Sequence, residues 1–154
     1  MYYICTLKIH IMKIAIASDH AGVDYKARLI SYLEYNGFQV YDLGPMTEDS
    51  VDYPDYGHKV AEAVSSKSVD FGILFCGSGN GINMSANKHQ AVRSALCWKK
   101  EIAELSRLHN DANVLTMPAR FISYEEAQEI TALFLATDFE GGRHAIRVNK
   151  IASC

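Results

Sequence analysis

The sequence predicts an α/β fold in which helices cover both faces of one parallel sheet. Short apolar segments alternate with amphipathic helical patterns, and most of these segments are apolar throughout, as in strands that are buried on both faces. Such alternation is typical of βαβ units, whose strands are parallel. The length of 154 residues favours one domain with a substantial core over two independent cores.

Five segments have the composition of strands. Together with the helical patterns between them, they predict a Rossmann-like three-layer sandwich with a five-stranded, mostly parallel sheet. In such a sheet, ligands bind where loops leave the carboxyl ends of the strands. The predicted strands are Lys13–Ser18, Gln39–Asp42, Phe71–Phe75, Ser94–Cys97 and Val114–Met117.

Apolar residues at helical spacing predict the helices between these strands. The first helix is expected to begin near Asp24 and to end at Asn36 and Gly37, a typical stop signal. Ser123 and Glu126 form a capping box that opens the helix after the last strand. The apolar stripes are Tyr25, Leu29, Tyr32 and Leu33; Tyr56, Val60, Ala63 and Val64; Trp98, Ile102, Leu105 and Leu108; and Ala127, Ile130 and Phe134.

Composition and charge exclude several classes of function. A formal net charge of -3 offers no basic excess for a nucleic-acid partner. No apolar run approaches the roughly 18 residues that span a bilayer, so no membrane partner is predicted. The absence of any CxxC pair argues against a structural zinc site and a disulfide framework, and it favours a cytoplasmic location. The four cysteines are Cys5, Cys76, Cys97 and Cys154.

Residues 1–11 differ from the rest of the chain. They are weakly apolar, are interrupted by Lys8 and His10, and lack the small-residue cleavage pattern of a signal peptide. Met12 stands directly before the first predicted strand. We therefore expect residues 1–11 to be a disordered or non-native extension, and residues 12–154 to form the single domain.

The first strand is followed by Asp19 and His20. Asp19 has an alternative role as the cap of the following helix, because aspartate is a favoured N-cap residue. The adjacent histidine nevertheless makes a pair of ligand-facing side chains a reasonable expectation at this end of the sheet.

The third strand is followed by the segment Cys76–Gly81, which reads CGSGNG. Alternate glycines allow backbone N–H groups to converge on an anionic oxygen at a helix start. A tight glycine-rich turn is the structural alternative. A thiol at a helix N-terminus is biased towards the thiolate, so Cys76 is the candidate reactive group. A structural cysteine is expected inside a strand, and Cys97 fits that role.

Three established loop motifs do not fit this segment. A dinucleotide site requires GxGxxG after the first strand with an acidic residue about 20 positions later, whereas this GxGxG follows the third strand and position 97 is a cysteine. A phosphate-binding P-loop would need GK[ST], and a nucleophile elbow GxSxG would need glycines at positions 76 and 80. The loop therefore predicts an oxyanion cradle without a nucleotide signature.

Further polar residues follow in the second half of the chain. His109 and Asn110 are predicted at the end of a helix, where a histidine could simply complement the helix dipole. Arg143 and Arg147 share one helix face at i, i+4 spacing, and phosphate matches two adjacent guanidinium groups. The alternative is a pair of solvated arginines. Arg120, after the fifth strand, is another candidate cation.

These groups together suit one kind of reaction. A thiol base, an oxyanion cradle, a carboxylate, an imidazole and a phosphate clamp are what an aldose–ketose isomerase requires. It removes a proton from the carbon beside a carbonyl, stabilises the enediolate, and moves protons between two oxygens.

The chain also resembles the ribose-5-phosphate isomerase B family, which includes galactose-6-phosphate and allose-6-phosphate isomerases. The resemblance extends from Lys13 to about Arg147. It departs from the family pattern at Ser78, where some members have threonine and keep the hydroxyl. The matching segments are IAIASDHAG, DYPDYG, ILFCGSGNGINMSANK, LSRLHNDANVL and FEGGRHAIRV.

The resemblance implies a role for each candidate residue. Cys76 is the base at C1 or C2, Asp19 relays protons between O1 and O2, and His109 opens the furanose ring. The remaining contacts are with the enediolate (Ser78 and the amides of Gly77, Gly79, Asn80 and Gly81), with the phosphate (His20, Arg120, Arg143 and Arg147), and with the sugar (Tyr53 beside the ring-opening histidine, and Asn110).

The resemblance further implies a homodimer or tetramer with the site at the subunit interface, and neither a metal nor an organic cofactor. The expected reaction interconverts ribose 5-phosphate and ribulose 5-phosphate through a cis-enediolate. Two alternatives remain: an isomerase of a six-carbon aldose phosphate, such as allose or galactose 6-phosphate, and a non-catalytic sugar-phosphate binding domain. Cys76 and Asp19 favour catalysis, because a binding domain has no use for a thiol base.

Overall fold

A computed structural model of the chain describes residues 11–152. Apart from Ile11, the predicted N-terminal extension lies outside the described residues, and so do Cys5 and Cys154. The described part begins one residue before Met12 and enters the first strand at Lys13.

Five parallel strands form one sheet in the order β2-β1-β3-β5-β4, and the predicted α/β fold is confirmed. Compared with the predicted segments, β3 and β5 each extend by one residue, because Cys76 and Pro118 pair in register at the end of the sheet. Conversely, β4 ends before Cys97. The strands are β1 (Lys13–Ser18), β2 (Gln39–Asp42), β3 (Phe71–Cys76), β4 (Ser94–Leu96) and β5 (Val114–Pro118).

The helices lie where the apolar stripes predict them, with one exception. Trp98 precedes the third predicted helix, because Lys99 adopts an extended conformation at the N-cap. The capping box of Ser123 and Glu126 is present. No helix within residues 11–152 has both the length and the apolar character that a bilayer span requires. The helices are α1 (Val23–Tyr35), α2 (Tyr53–Ser65), α3 (Asn80–Ala86), α4 (Lys100–Asn110), α5 (Tyr124–Ala136) and α6 (Arg143–Val148).

The core has two halves, one on each face of the sheet. Alternate residues of β1 face opposite ways, so Ile14 and Ile16 belong to one half and Ala15 and Ala17 to the other. Helices α1, α4 and α5 cover the isoleucine face, and α2 and α3 cover the alanine face. This arrangement confirms the three-layer sandwich.

A buried ion pair fixes the carboxyl ends of β1 and β2. Lys26 is 2% exposed, and its Nζ lies 2.6 Å from Oδ2 of Asp42. Asp42 Oδ1 also accepts a hydrogen bond from the Gly44 amide, and the Gly44 carbonyl accepts one from the amide of Ser18. Breaking such a pair would leave one buried charge without its partner. The pair therefore holds in place the residue that directly precedes Asp19.

Candidate active site

Asp19 and Cys76 lie side by side at the carboxyl edge of the sheet. Ser18 and Phe75 are partners in the β1–β3 ladder, so the next residue of each chain segment falls at the same level. Both side chains are buried, at 6% and 7% exposure. Asp19 Oδ1 accepts a hydrogen bond from the Ala21 amide at 2.8 Å, and Oδ2 accepts one from the Gly77 amide at 3.3 Å. Asp19 thus caps its own turn and also faces the cysteine loop.

The Cys76 thiol does not have the electrostatic character that its position in the sequence predicts. Burial raises its pKa above the ordinary value, and the hydrogen bond and negative charge of Asp19 raise it further. The backbone N–H groups of Gly79 and Ile82 act in the opposite direction but have the smaller effect. The expected bias towards thiolate is therefore wrong, because the thiol is buried and because a carboxylate 57 positions earlier in the sequence contacts it.

Asp19→Asn should make Cys76 react with iodoacetamide at lower pH than in the wild type. The substitution replaces a carboxylate with an uncharged amide, so the negative charge that raises the thiol pKa would be removed. The measurement is the rate of alkylation at Cys76 against pH, read by peptide mass spectrometry. Asp24→Asn, an exposed site on the first turn of α1, is the matched control and should leave the profile unchanged. An unchanged profile in Asp19→Asn would contradict the assigned cause.

The glycine-rich loop lies at the start of α3, where the sequence predicts an oxyanion cradle. Gly79 has φ +79°, a conformation that favours glycine, and directly precedes the helix. A Cβ on Gly81 would lie 2.5 Å from Cζ of Tyr53, so the glycine permits the tyrosine ring to lie against the loop. Ser78 is exposed, and its Oγ accepts a weak hydrogen bond from the Asn80 amide at 3.4 Å. Ile82, which the sequence did not single out, contributes an amide next to Cys76.

Arg120 and His20 lie beside this cradle. The Arg120 amide donates to the Gly77 carbonyl at 3.2 Å, and its guanidinium lies over Gly77, 3.2 Å from where a Cβ would be. His20 stands in the short turn after β1, and its buried Nδ1 has no hydrogen-bond partner within residues 11–152. A cation and an imidazole with an unused ring nitrogen therefore border the loop that contains Cys76.

The other predicted site residues lie at the opposite edge of the sheet. His109 and Asn110 are the last two residues of α4, and Val114 begins β5 four positions later. Cys76 pairs with Pro118 at the far end of β5. Five residues of strand span about 13 Å, so His109 and Cys76 are separated by the length of the sheet.

Arg143 and Arg147 belong to the same edge as His109. Both are exposed on α6, one turn apart, as the spacing predicts. Helix α6 contacts α4, and the Glu140 amide donates to the Leu108 carbonyl at 3.1 Å. One protomer therefore contains two separate groups of predicted site residues. The carboxyl-edge group is Asp19, His20, Tyr53, Cys76, Gly77, Ser78, Gly79, Asn80, Gly81 and Arg120; the amino-edge group is His109, Asn110, Arg143 and Arg147.

Two residues around His109 were not predicted as site residues. His144 packs face to face on the His109 ring, and Glu140 lies beside both histidines. They belong to the segment FEGGRHAIRV, in which the arginine spacing was the only pattern interpreted. The contact joins residues 35 positions apart, so no local periodicity indicates it.

Comparison with known proteins identifies the family. The Ribose/Galactose Isomerase family model matches residues 14–151. The Thermotoga maritima ribose 5-phosphate isomerase structure is 47% identical, has a TM-score of 0.92, and covers 94% of this chain and 100% of its own. A Mycoplasma genitalium ribose-5-phosphate isomerase B structure with bound ribulose-5-phosphate is 42% identical, with a TM-score of 0.90, and covers 94% and 97%.

A curated relative gives the same result at the level of sequence. Ribose-5-phosphate isomerase B of Escherichia coli is 41% identical over 141 residues, which are 92% of this chain and 95% of the relative. The family model, the sequence relative and the two structures each extend over nearly the whole described chain. The chain therefore belongs to the ribose/galactose isomerase family and is a sugar-phosphate isomerase.

Proposed function

We propose that the chain interconverts ribose 5-phosphate and ribulose 5-phosphate through a cis-enediolate. The observation that carries the proposal is the contact between Cys76, Asp19 and the glycine loop at one end of the sheet. A base, an oxygen-directed carboxylate and oxyanion donors stand together there. The choice of a five-carbon substrate is supported by the relatives, which are named for ribose 5-phosphate, and by the ribulose-5-phosphate bound in the Mycoplasma genitalium protein.

Cys76 acts on carbon. Its thiolate removes the proton from C2 of the open aldose, and the electron pair moves through the new C1–C2 double bond to O1. The resulting thiol then returns the proton to C1, which gives the ketose. The environment that raises the pKa of Cys76 also makes its thiolate a stronger base once it is formed.

The glycine-rich loop and Asp19 act on the substrate oxygens O1 and O2. Backbone N–H groups of the segment from Gly77 to Gly81, with the Ser78 hydroxyl, stabilise the negative charge that develops on the enediolate. Asp19 carries a proton from O2 to O1, so that the carbonyl moves from C1 to C2. Its burial beside Cys76 supports this role, because both reacting oxygens must lie within reach of the same carboxylate.

The complete site requires two copies of the chain. The carboxyl-edge group holds the chemical residues, while the amino-edge group holds the ring-opening His109 and the clamp of Arg143 and Arg147. Since the length of the sheet separates them within one protomer, a partner subunit must supply the amino-edge group. His20 and Arg120 would contact the phosphate from the first subunit, opposite the arginine pair.

His109 opens the furanose ring before proton abstraction. Ribose 5-phosphate closes its ring through O4, whereas erythrose 4-phosphate cannot do so, because its O4 carries the phosphate. His109→Asn should therefore lower kcat/KM for ribose 5-phosphate by about 100-fold and much less for erythrose 4-phosphate. The measurement is a coupled assay on both sugars.

Two controls complete this assay. The wild type must turn over the shorter sugar measurably, and it should convert ribose 5-phosphate faster than allose 6-phosphate. Equal fractional losses on the two sugars would place His109 at the enediolate or in substrate positioning. A lowered melting temperature of His109→Asn with unchanged rates would mean that His109 only stabilises the helix through its dipole. A preference for the hexose phosphate would overturn the pentose assignment.

A further inference from the structure

The His109 ring has a neighbour that the reaction scheme does not use. His144 is buried at 7% exposure, and its ring lies parallel to that of His109, with 4.2 Å between centroids and 6° between planes. A stacked ring covers one face of the imidazole and restricts its rotation about the Cβ–Cγ bond. His109 itself is 38% exposed at its side chain, so part of the side chain remains accessible to a ligand.

The backbone holds this stack in place. The Glu140 amide donates to the Leu108 carbonyl, which ties the turn before α6 to the residue that precedes His109. The amide of His144 donates to the Gly141 carbonyl at 3.0 Å, within a turn in which Gly141 has φ +73°. These two hydrogen bonds position the turn that carries the His144 ring beside His109. Its buried Nε2 has no hydrogen-bond partner within residues 11–152.

The charges around the stack favour a neutral His144. Burial lowers its pKa most, the neighbouring His109 lowers it further, and Arg143 and Arg147 act in the same direction; Glu140 alone opposes them. The Glu140 Oε2 atom lies 3.7 Å from His109 Nε2 and 4.0 Å from His144 Nε2. His144 is therefore the neutral ring of the stack, and its contact with His109 is one of ring faces.

A metal ion does not account for this cluster. The ligand atoms of His109, Glu140 and His144 lie within 4.8 Å of one another, which is close enough to consider an ion. An imidazole nitrogen binds a metal along its lone pair, in the plane of its ring. Two stacked parallel rings share no such plane, so one ion cannot satisfy both histidines as they stand.

We propose that His144 is a positioning residue. The flat face of the His144 ring holds the His109 imidazole at the angle needed to open the sugar ring. The proposal rests on the proposed role of His109 and extends it to a residue that does not touch the substrate. It requires an aromatic face at position 144 but no ionisable nitrogen.

The test compares two substitutions on two sugars. His144→Ala removes the face and should lower kcat for ribose 5-phosphate on the order of tenfold, with little change in KM and little change on erythrose 4-phosphate. His144→Phe restores a flat ring and should recover most of the lost kcat, although it has no nitrogen. Ile146→Ala, an exposed site on the same helix, is the control and should match the wild type. The melting temperature shows whether each variant is folded, and the mass of the native oligomer shows whether it is assembled.

The outcomes distinguish this proposal from the proposed function. If His109→Asn is selective for ribose 5-phosphate but His144→Ala affects both sugars equally or neither, only the positioning role is overturned. If His144→Phe is as impaired as His144→Ala, the nitrogen matters and the ring-face proposal is wrong. If His109→Asn itself loses activity equally on both sugars, the ring-opening role fails and the positioning role fails with it.

Discussion

Cys76→Ala should lower kcat for ribose 5-phosphate by about a thousandfold, while the protein remains folded and binds phosphate as before. The substitution removes the base that acts on carbon, and a positioned acid or base contributes typically 10²- to 10⁴-fold. Only one sulfur atom at the end of β3 is lost, so the change in packing is small. The measurement is steady-state turnover, combined with a melting curve and titration with inorganic phosphate.

Cys97→Ala is the matched control for this substitution. Cys97 is fully buried on the face covered by α4 and α5, and burial raises its pKa to about 12. It is therefore an inert thiol of equal size, and its removal should affect stability more than turnover. If Cys76→Ala kept near wild-type kcat, or if both variants lost activity equally, the assignment of Cys76 as the base would be wrong.

Two inactive variants should restore activity to each other when they are assembled together. In a hybrid of Cys76→Ala and His109→Asn, one of the two sites combines an intact carboxyl-edge group from one chain with an intact amino-edge group from the other. Random assembly gives hybrids in about half of the dimers, so about a quarter of wild-type activity should return. The measurement is turnover after co-refolding equal amounts of the two purified variants.

A second mixture serves as the control. His109→Asn and Arg147→Ala both alter the amino-edge group, so neither site of their hybrid is complete and their mixture should show no recovery. Absence of recovery in the first mixture, with hybrids demonstrated by mass spectrometry, would mean that Cys76 and His109 act from the same chain. Recovery in both mixtures would mean that the site residues are divided between the two chains in a different way from the one proposed.

The strands were the part of the fold that the sequence predicted best. The segments Lys13–Ser18 and Gln39–Asp42 agree with the structure at both ends. The ends of β3, β4 and β5 depend on which residues pair across the sheet, and a local pattern does not contain that information. The early start assigned to the helix with Trp98 fails for a similar reason, because the N-cap conformation of Lys99 sets the boundary.

The sequence indicated a set of candidate site residues but not how the fold arranges them. Glycine spacing identified the loop, and the arginine spacing identified a shared helix face. The acidity of Cys76 could not be inferred, because it depends on Asp19 and on burial across two strands. The stack of His144 on His109 could not be inferred either, since it requires α6 to lie against the end of α4.

Small residues on one face of the sheet, among them Ala15, Ala17 and Gly72, allow helix α2 to approach the sheet closely. On the alanine face, a Cβ added to Gly72 would overlap Cγ1 of Val60, so α2 rests almost directly on the backbone of β3. Tyr53 is the first residue of that helix, and its ring lies against Gly81. Side-chain volume at position 72 therefore limits how closely α2 approaches the sheet. A larger residue there would push α2 outward and move Tyr53 away from Gly81, although it would contact neither residue.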